Sequence, residues 1–271
     1  MVDDSDVGAS GSRLSDDYFR RPSPARVWNY WLGGKDNYPI DREVGDATVT
    51  VNPHIPEMAR DSRKFLGRAV RHLAGEAGVG QFLDIGTGLP TEQNTHEIAQ
   101  VVRPDAKIVY VDNDPVVLAH ARALLTNTTS GGVTTYLDHD VREPTALLEQ
   151  ARELLDFESP IAVMLLGILG HAAPVYADAR AIIDELMSAM PAGSYLTVLD
   201  GVDTDPLYRE GARRQAELGH PYKLRTEEEF AGFFTGLELV EPGIVAARDW
   251  PAADPQTGKQ RNVCVGVGRK P

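Results

Sequence analysis

The sequence predicts an α/β fold, a doubly wound and mainly parallel sheet, and three observations carry the prediction. From residue 81 onward, apolar runs of strand length alternate with amphipathic helical stretches. The run at 161–166 is apolar throughout, as a strand buried on both faces of a parallel sheet has to be. The first run passes into a glycine-bearing turn, Asp84-Ile-Gly-Thr-Gly-Leu-Pro90, where a strand hands over to a helix.

The elements follow in order. Residues 1–14 read as a disordered tail of small and acidic groups. Residues 18–46 have no clean period, yet they concentrate Trp28, Tyr30, Trp31 and Tyr38 around a Gly33-Gly34 turn. Phe65, Leu66, Ala69, Val70 and Leu73 recur at 3.6-residue spacing, so 56–75 is a helix, ended by Gly75 and Gly78. Residues 81–85 are the first strand. Pro90 opens the next helix, which carries Ile98, Val101 and Val102. The second strand is 107–111. Asp114-Pro115 then starts a helix with Val117, Leu118, Ala121, Leu124 and Leu125 facing inward. The third strand and helix are 133–137 and 145–155. A helix bearing Ala179, Ile182, Ile183, Leu186, Met187 and Met190 follows the fourth strand, and 195–199 is the fifth. Thr226-Glu-Glu-Glu229 is a capping box. Runs at 237–240 and 263–267 with no helical pattern between them predict a terminal antiparallel hairpin. The organisation expected is a lid and helix over 15–78 and an α/β domain over 79–271, interrupted by an insertion at 201–225.

Composition narrows the function. The chain has 271 residues, 42% of them hydrophobic, and a formal charge of −13. It is globular, and its surface repels phosphate backbones, so nucleic acid is not the expected partner. One cysteine, Cys264, excludes a disulfide framework and a cysteine-rich zinc site. No His/Asp/Glu cluster has metal-ligand spacing, and no metal is expected. No run of about 18 apolar residues exists for a membrane span. The first dozen residues lack the basic start and apolar middle of a secretion signal, so a cytoplasmic location is expected.

The strand ends carry the chemistry. Gly86 and Gly88, with Thr87 between them, let the backbone approach a ligand closely, or simply make a tight turn. Asp112 ends the second strand beside Asn113. Its carboxylate is placed to accept two ribose hydroxyls of an adenosine, or to cap a helix, a role Asp114 already fits. After the third strand, Asp140 is placed for an adenine amino group and Val141 for the ring face; the alternative is a solvated loop. A dinucleotide fingerprint needs a small residue where Thr91 stands. Asp84, Asp112 and Asp140 would line adjacent strand ends with no basic residue in the glycine loop. Such a rim disfavours a pyrophosphate and suits S-adenosylmethionine, with its sulfonium and ammonium.

These motifs resemble class I S-adenosylmethionine-dependent methyltransferases. A narrower resemblance lies upstream. Pro24-Ala-Arg-Val-Trp-Asn-Tyr-Trp-Leu-Gly-Gly-Lys-Asp-Asn-Tyr-Pro39, together with the 82–91, 94–96 and 109–122 segments, is similar to a bacterial S-adenosyl methyltransferase family, formerly a domain of unknown function. The resemblance spans roughly residues 18–268. It implies a Rossmann-like, seven-stranded sheet with an antiparallel last strand, S-adenosyl-L-methionine as cofactor and S-adenosyl-L-homocysteine as product. Leu166, ending the fourth strand, joins the implied cofactor set. Such proteins tend to carry a His-His pair after that strand; this chain has Gly170-His171.

His171 is accordingly the candidate general base, with a capping or structural role as its alternative; His139 and His96 are weaker candidates. The 18–46 segment is expected to be a lid with Asn29, Lys35 and Asn37 facing the cofactor and Lys35 meeting its carboxylate, or else a strap fixed by aromatic packing. The insertion offers Tyr208, Arg213, Arg214 and Tyr222 to an acceptor, or forms a surface helix. No Asn- or Asp-Pro-Pro-Tyr motif follows the fourth strand, and Cys264 lies in the last strand, so the two DNA-base methylation chemistries are set aside. The function expected is methyl transfer to a small molecule. A non-catalytic cofactor-binding protein is the alternative, and a nicotinamide oxidoreductase is disfavoured.

Overall fold

The computed structural model describes residues 18–124, 126–251 and 262–271. The expected tail and the inward place given to Leu125 lie outside the described residues, as does the side chain of Leu124.

After a single 3₁₀ turn, the chain forms α1 (Pro24–Trp31), α2 (Pro39–Val51) and α3 (Ile55–Gly75). Alternation then begins: β1 (Gln81–Ile85), α4 (Thr95–Val102), β2 (Lys107–Asp112), α5 (Pro115–Leu124), β3 (Val133–Asp138), α6 (Pro144–Ala151) and β4 (Ala162–Leu166). A short α7 (Leu169–Ala172), α8 (Tyr176–Ala189), β5 (Tyr195–Gly201), α9 (Pro206–Glu217) and α10 (Glu227–Gly232) follow. The chain ends with β6 (Glu238–Leu239), β7 (Val245–Ala246) and β8 (Val263–Arg269).

The sheet order is β3-β2-β1-β4-β5-β8-β6, with β7 also on β8. Pairings among the first five strands are parallel; β8 runs antiparallel to β5, β6 and β7. Among the described residues the sheet therefore has eight strands rather than the seven expected. The edge position is shared by two two-residue strands, because Pro242 has no N–H to donate and Gly243 turns the chain at φ +80°.

Strand alternation decides what each face buries. Phe82, Ile108, Tyr110 and Met164 pack with α3 and α4. Leu83, Ile85, Val109, Val163 and Leu165 pack with α6, α8 and α10. Asp84 and Asp112 share the parity of Phe82 and Tyr110, which aims them at the α3/α4 side. Pro90 lies outside α4. That helix starts five residues later, where Asn94 and Glu97 form a capping box. Val101 and Val102 face solvent.

The aperiodic 18–46 segment is mostly helical. Its pattern is blurred because α1 and α2 bury polar side chains. Arg26 is 1% exposed and donates from Nε to Asp41 at 2.7 Å; Asp41 also accepts from the Ser23 and Tyr38 N–H groups at 3.0 and 2.8 Å. Ser23 Oγ reaches Asp114 at 2.7 Å, and the Tyr18 hydroxyl donates to the same carboxylate. Those bonds tie the segment to the loop after β2. Residues 201–225 are not simply an excursion: α9 packs along α2, and its Tyr208, Ala212 and Gln215 face the cleft at the carboxyl ends of the strands.

Asp41→Ala leaves a fully buried guanidinium without its carboxylate. It should cost about 3–5 kcal/mol in urea unfolding followed by circular dichroism.

Candidate active site

A cleft of about 230 Å³ opens at the carboxyl ends of β1, β2, β4 and β5 beneath α1, α3 and α9. Its floor is the β1–α4 turn. Gly86 and Gly88 adopt φ +72° and +64°, and a Cβ on Gly86 would lie 2.7 Å from Ile168, so both positions need glycine. Gly88 N–H donates to Asp112 Oδ2 at 2.9 Å, and Asp114 N–H donates to Oδ1 at 2.9 Å. The Asn113 N–H also acts on this carboxylate, so one lone pair of Asp112 stays open. Asp84 accepts from Thr95 Oγ1 at 2.6 Å. Its burial drives its pKa up to about 6, against the pull of Thr95 and of Arg63. Burial also raises the pKa of Asp112.

Of the expected cofactor residues and general base, Asn29, Asp84, Gly86, Thr87, Gly88, Asp112, Asn113, Leu166 and His171 line this cleft. Four of that set do not. Asp140 is bound by Arg142, whose Nε lies 2.9 and 3.0 Å from its two oxygens, and by Asn113 at 2.9 Å. The Arg142 hydrogen bond depresses its pKa. Val141 is 4% exposed and packs in the core beneath. Lys35 is exposed, away from the cleft wall. Asn37 braces the roof instead, donating to Asn29 Oδ1 at 3.0 Å and to Gly34 carbonyl at 2.9 Å. Gly34 is glycine because a Cβ there would lie 2.3 Å from the Asn29 amide. The rim thus holds two carboxylates, with the third already paired.

Arg63 on α3 was not legible as a site residue. It lines the cleft, anchored by Nη2 to the carbonyls of Glu92 and Gln93 at 3.3 and 3.1 Å. Desolvation lowers its pKa, against attraction from Asp84. A signal existed: Met58, Ser62 and Leu66 recur every four residues beside the core stripe, and all three line the cleft.

At the inner end, His171 donates from Nδ1 to the Pro221 carbonyl at 2.9 Å. A carbonyl only accepts, so Nε2 carries the lone pair. Burial lowers this imidazole to about 4. The Pro221 carbonyl is held because the Tyr222 ring slots between Gly170 and Gly201, where a Cβ would approach it to 2.5 and 2.9 Å. The Tyr222 hydroxyl donates to Asp200 and accepts from Gly201 N–H at 3.1 Å. Glycine at 170 therefore has a physical reason: Tyr222 occupies the space a side chain there would fill. Tyr208 also lines the cleft, whereas Arg213 and Arg214 face solvent and pair with Glu210 and Glu217. His96 is 2% exposed and bonded to the Tyr110 hydroxyl at 2.9 Å. His139 does not line the cleft.

The mostly parallel sheet with antiparallel last strands, and a glycine turn facing an acid on the neighbouring strand, resemble the fold of class I S-adenosylmethionine-dependent methyltransferases. The family described as S-adenosyl methyltransferase matches residues 15–271, and the chain belongs to that family. A DUF574 family protein from Streptomyces avermitilis MA-4680 is 41% identical, covering 93% of this chain and 99% of its own, with a TM-score of 0.87. A candidate methyltransferase from Thermobifida fusca YX is 42% identical, with coverages of 93% and 96% and a TM-score of 0.85. An O-methyltransferase family protein from Burkholderia thailandensis is 14% identical, covers 86% of this chain and 60% of its own, and shares the fold at a TM-score of 0.52. No protein of curated function matches the chain. The protein is an S-adenosylmethionine-dependent methyltransferase. The residues present fit that cofactor: a cradle that a Cβ would fill, a carboxylate with an open lone pair, a buried acid and a desolvated guanidinium surround one cleft. Among the described residues no helix is long and apolar enough to cross a membrane.

Gly170→Ala forces Tyr222 from its slot. We expect a loss of about 1–3 kcal/mol in chemical denaturation.

Proposed function

We propose that this methyltransferase acts on a small molecule enclosed beneath α1 and α9, with His171 as general base. One observation carries the reading: the cleft runs without a break from the Gly86–Gly88 turn to His171 under an aromatic roof that includes Trp28 and Trp31. A roofed cleft of this size suits a small acceptor better than a polymer, and the charge of −13 disfavours nucleic acid.

When bound, the cofactor supplies a methyl group made electrophilic by its sulfonium. Asp112 would accept a ribose hydroxyl on its open lone pair. Asp84 would offer negative charge to the cationic methionine end, and Arg63, rather than Lys35, would face its carboxylate. Leu166, Thr87 and Asn113 complete the walls, and Asn29, braced by Asn37, closes the roof against water. Asp140 and Val141 remain candidates for the adenine end only if the Arg142 pair opens. His171 presents a neutral Nε2 able to take a proton from the acceptor. Holding the reactants in line and dry accounts for roughly 7–11 kcal/mol of barrier reduction in well-oriented reactions.

Titration calorimetry with S-adenosylmethionine separates the two cations. Arg63→Met should weaken binding at least tenfold and Lys35→Met less than twofold, and release of S-adenosylhomocysteine in the presence of an acceptor should follow the same order. The reverse ranking removes Arg63 from the site.

Asp84 also predicts a pH dependence. Its raised pKa keeps it protonated below about 6, and a cationic ligand favours the ionised form. Affinity should therefore rise, roughly tenfold between pH 5 and pH 7, and Asp84→Asn should flatten the profile.

A further inference from the structure

We infer that the inner end of the cleft is an acceptor subsite that takes a neutral, largely apolar small molecule through one phenol-type hydroxyl, received by the Nε2 atoms of His220 and His171. This deepens the small-molecule reading above and rests on it.

The observation that carries it is His220. This side chain is 3% exposed, lines the cleft, and bonds through Nδ1 to Gln215 Oε1 at 3.0 Å. With Gln215 accepting, Nδ1 holds the proton and Nε2 is left as a lone pair; that atom is buried with no hydrogen-bond partner among the described residues. A buried acceptor without a donor is costly, on the order of 1–3 kcal/mol, and a ligand hydroxyl would satisfy it. The His171 ring lies against it, centroid to centroid 4.8 Å, and its Nε2 likewise carries a lone pair. Both rings line the cleft, and each lone pair calls for a hydrogen-bond donor.

Charge selects among donors. An ammonium finds no open anion: Asp200 is fully buried, accepts from the Tyr222 hydroxyl and sits 3.6 Å from Arg225. A carboxylate would meet two lone pairs, and Arg225 is committed to the backbone carbonyls of Leu169, Ala173 and Pro174. The cleft also presents the apolar surfaces of Trp31, Ile55, Met58, Tyr208 and Leu224. A neutral hydroxyl on an apolar body is what fits. Burial keeps both imidazoles neutral at pH 7, His171 near 4 and His220 near 3. Bases this weak favour a hydroxyl as acidic as a phenol, whose ordinary pKa is about 10, over an aliphatic alcohol. In the reaction the acceptor's O–H bond breaks and its proton passes to His171 Nε2. The oxygen electron pair forms the O–CH₃ bond as the CH₃–S pair returns to sulfur, leaving neutral S-adenosylhomocysteine.

The test uses the full chain with S-adenosylhomocysteine present. Binding of 4-propylphenol is compared with that of 4-propylanisole, 4-propylbenzylamine and 4-propylbenzoate by ligand-observed NMR. The phenol should bind at least tenfold more tightly than the other three. His220→Leu should bring phenol and anisole within twofold of each other, while the Kd for S-adenosylmethionine stays unchanged, which also reports that the variant is folded. His220→Asn is the second variant should the first fail to fold, and it should narrow the preference. Equal binding of phenol and ether in the wild type, preference for either charged probe, no binding by any probe while S-adenosylmethionine still binds, or an undiminished preference in the variants overturns the subsite. Each of these outcomes leaves methyl transfer to a small molecule standing. Failure of the wild type to bind S-adenosylmethionine would instead sink the reading beneath it.

Discussion

The site depends on one carboxylate joining two neighbouring strands. Asp112, at the end of β2, holds the N–H of Gly88 after β1 and the N–H of Asp114 ahead of α5. Those bonds keep the glycine turn open at a positive φ that L side chains rarely adopt. Asp114 in turn carries Ser23 and the Tyr18 hydroxyl. The floor of the cleft, the start of α5 and the N-terminal roof are therefore linked through two aspartates two residues apart.

Roof and inner end use a comparable device, backbone packed against aromatic or amide groups where only glycine fits. Gly34 admits the Asn29 amide; Gly170 and Gly201 admit the Tyr222 ring. Tyr222 then fixes the Pro221 carbonyl that orients His171. The residue after β4 thus faces the cleft with a defined tautomer, although its partner comes from 50 residues further along the chain. The contact of α2 with α9 ties the N-terminal helices to the 201–225 segment.

What could be read from the chain alone followed from local rules. Strands 81–85, 107–111 and 161–166 are dictated by period and β-branched content. The Gly86–Gly88 turn, Asp112 and Leu166 lie at strand ends, where a parallel sheet must place them on a common edge. Arg63 and His220 escaped because each enters the cleft from a segment whose path over the sheet is set by packing. Lys35 was favoured for its charge and its proximity to the lid turn, but the turn directs it outward while Asn29 and Asn37 bond to each other beneath it. Asp140 was read as an open carboxylate, yet Arg142, two residues away, folds back onto it.

By itself, then, the sequence determined the alternation of strands and helices and the acidic glycine edge that marks this methyltransferase class, because periodicity and turn chemistry act within a few residues. Only the tertiary structure decided the split edge strand, the helical roof, the cation that reaches the cleft and the two imidazoles that meet at its inner end. Those depend on contacts between residues far apart in the chain, where burial and hydrogen-bond satisfaction, rather than local preference, choose the partner.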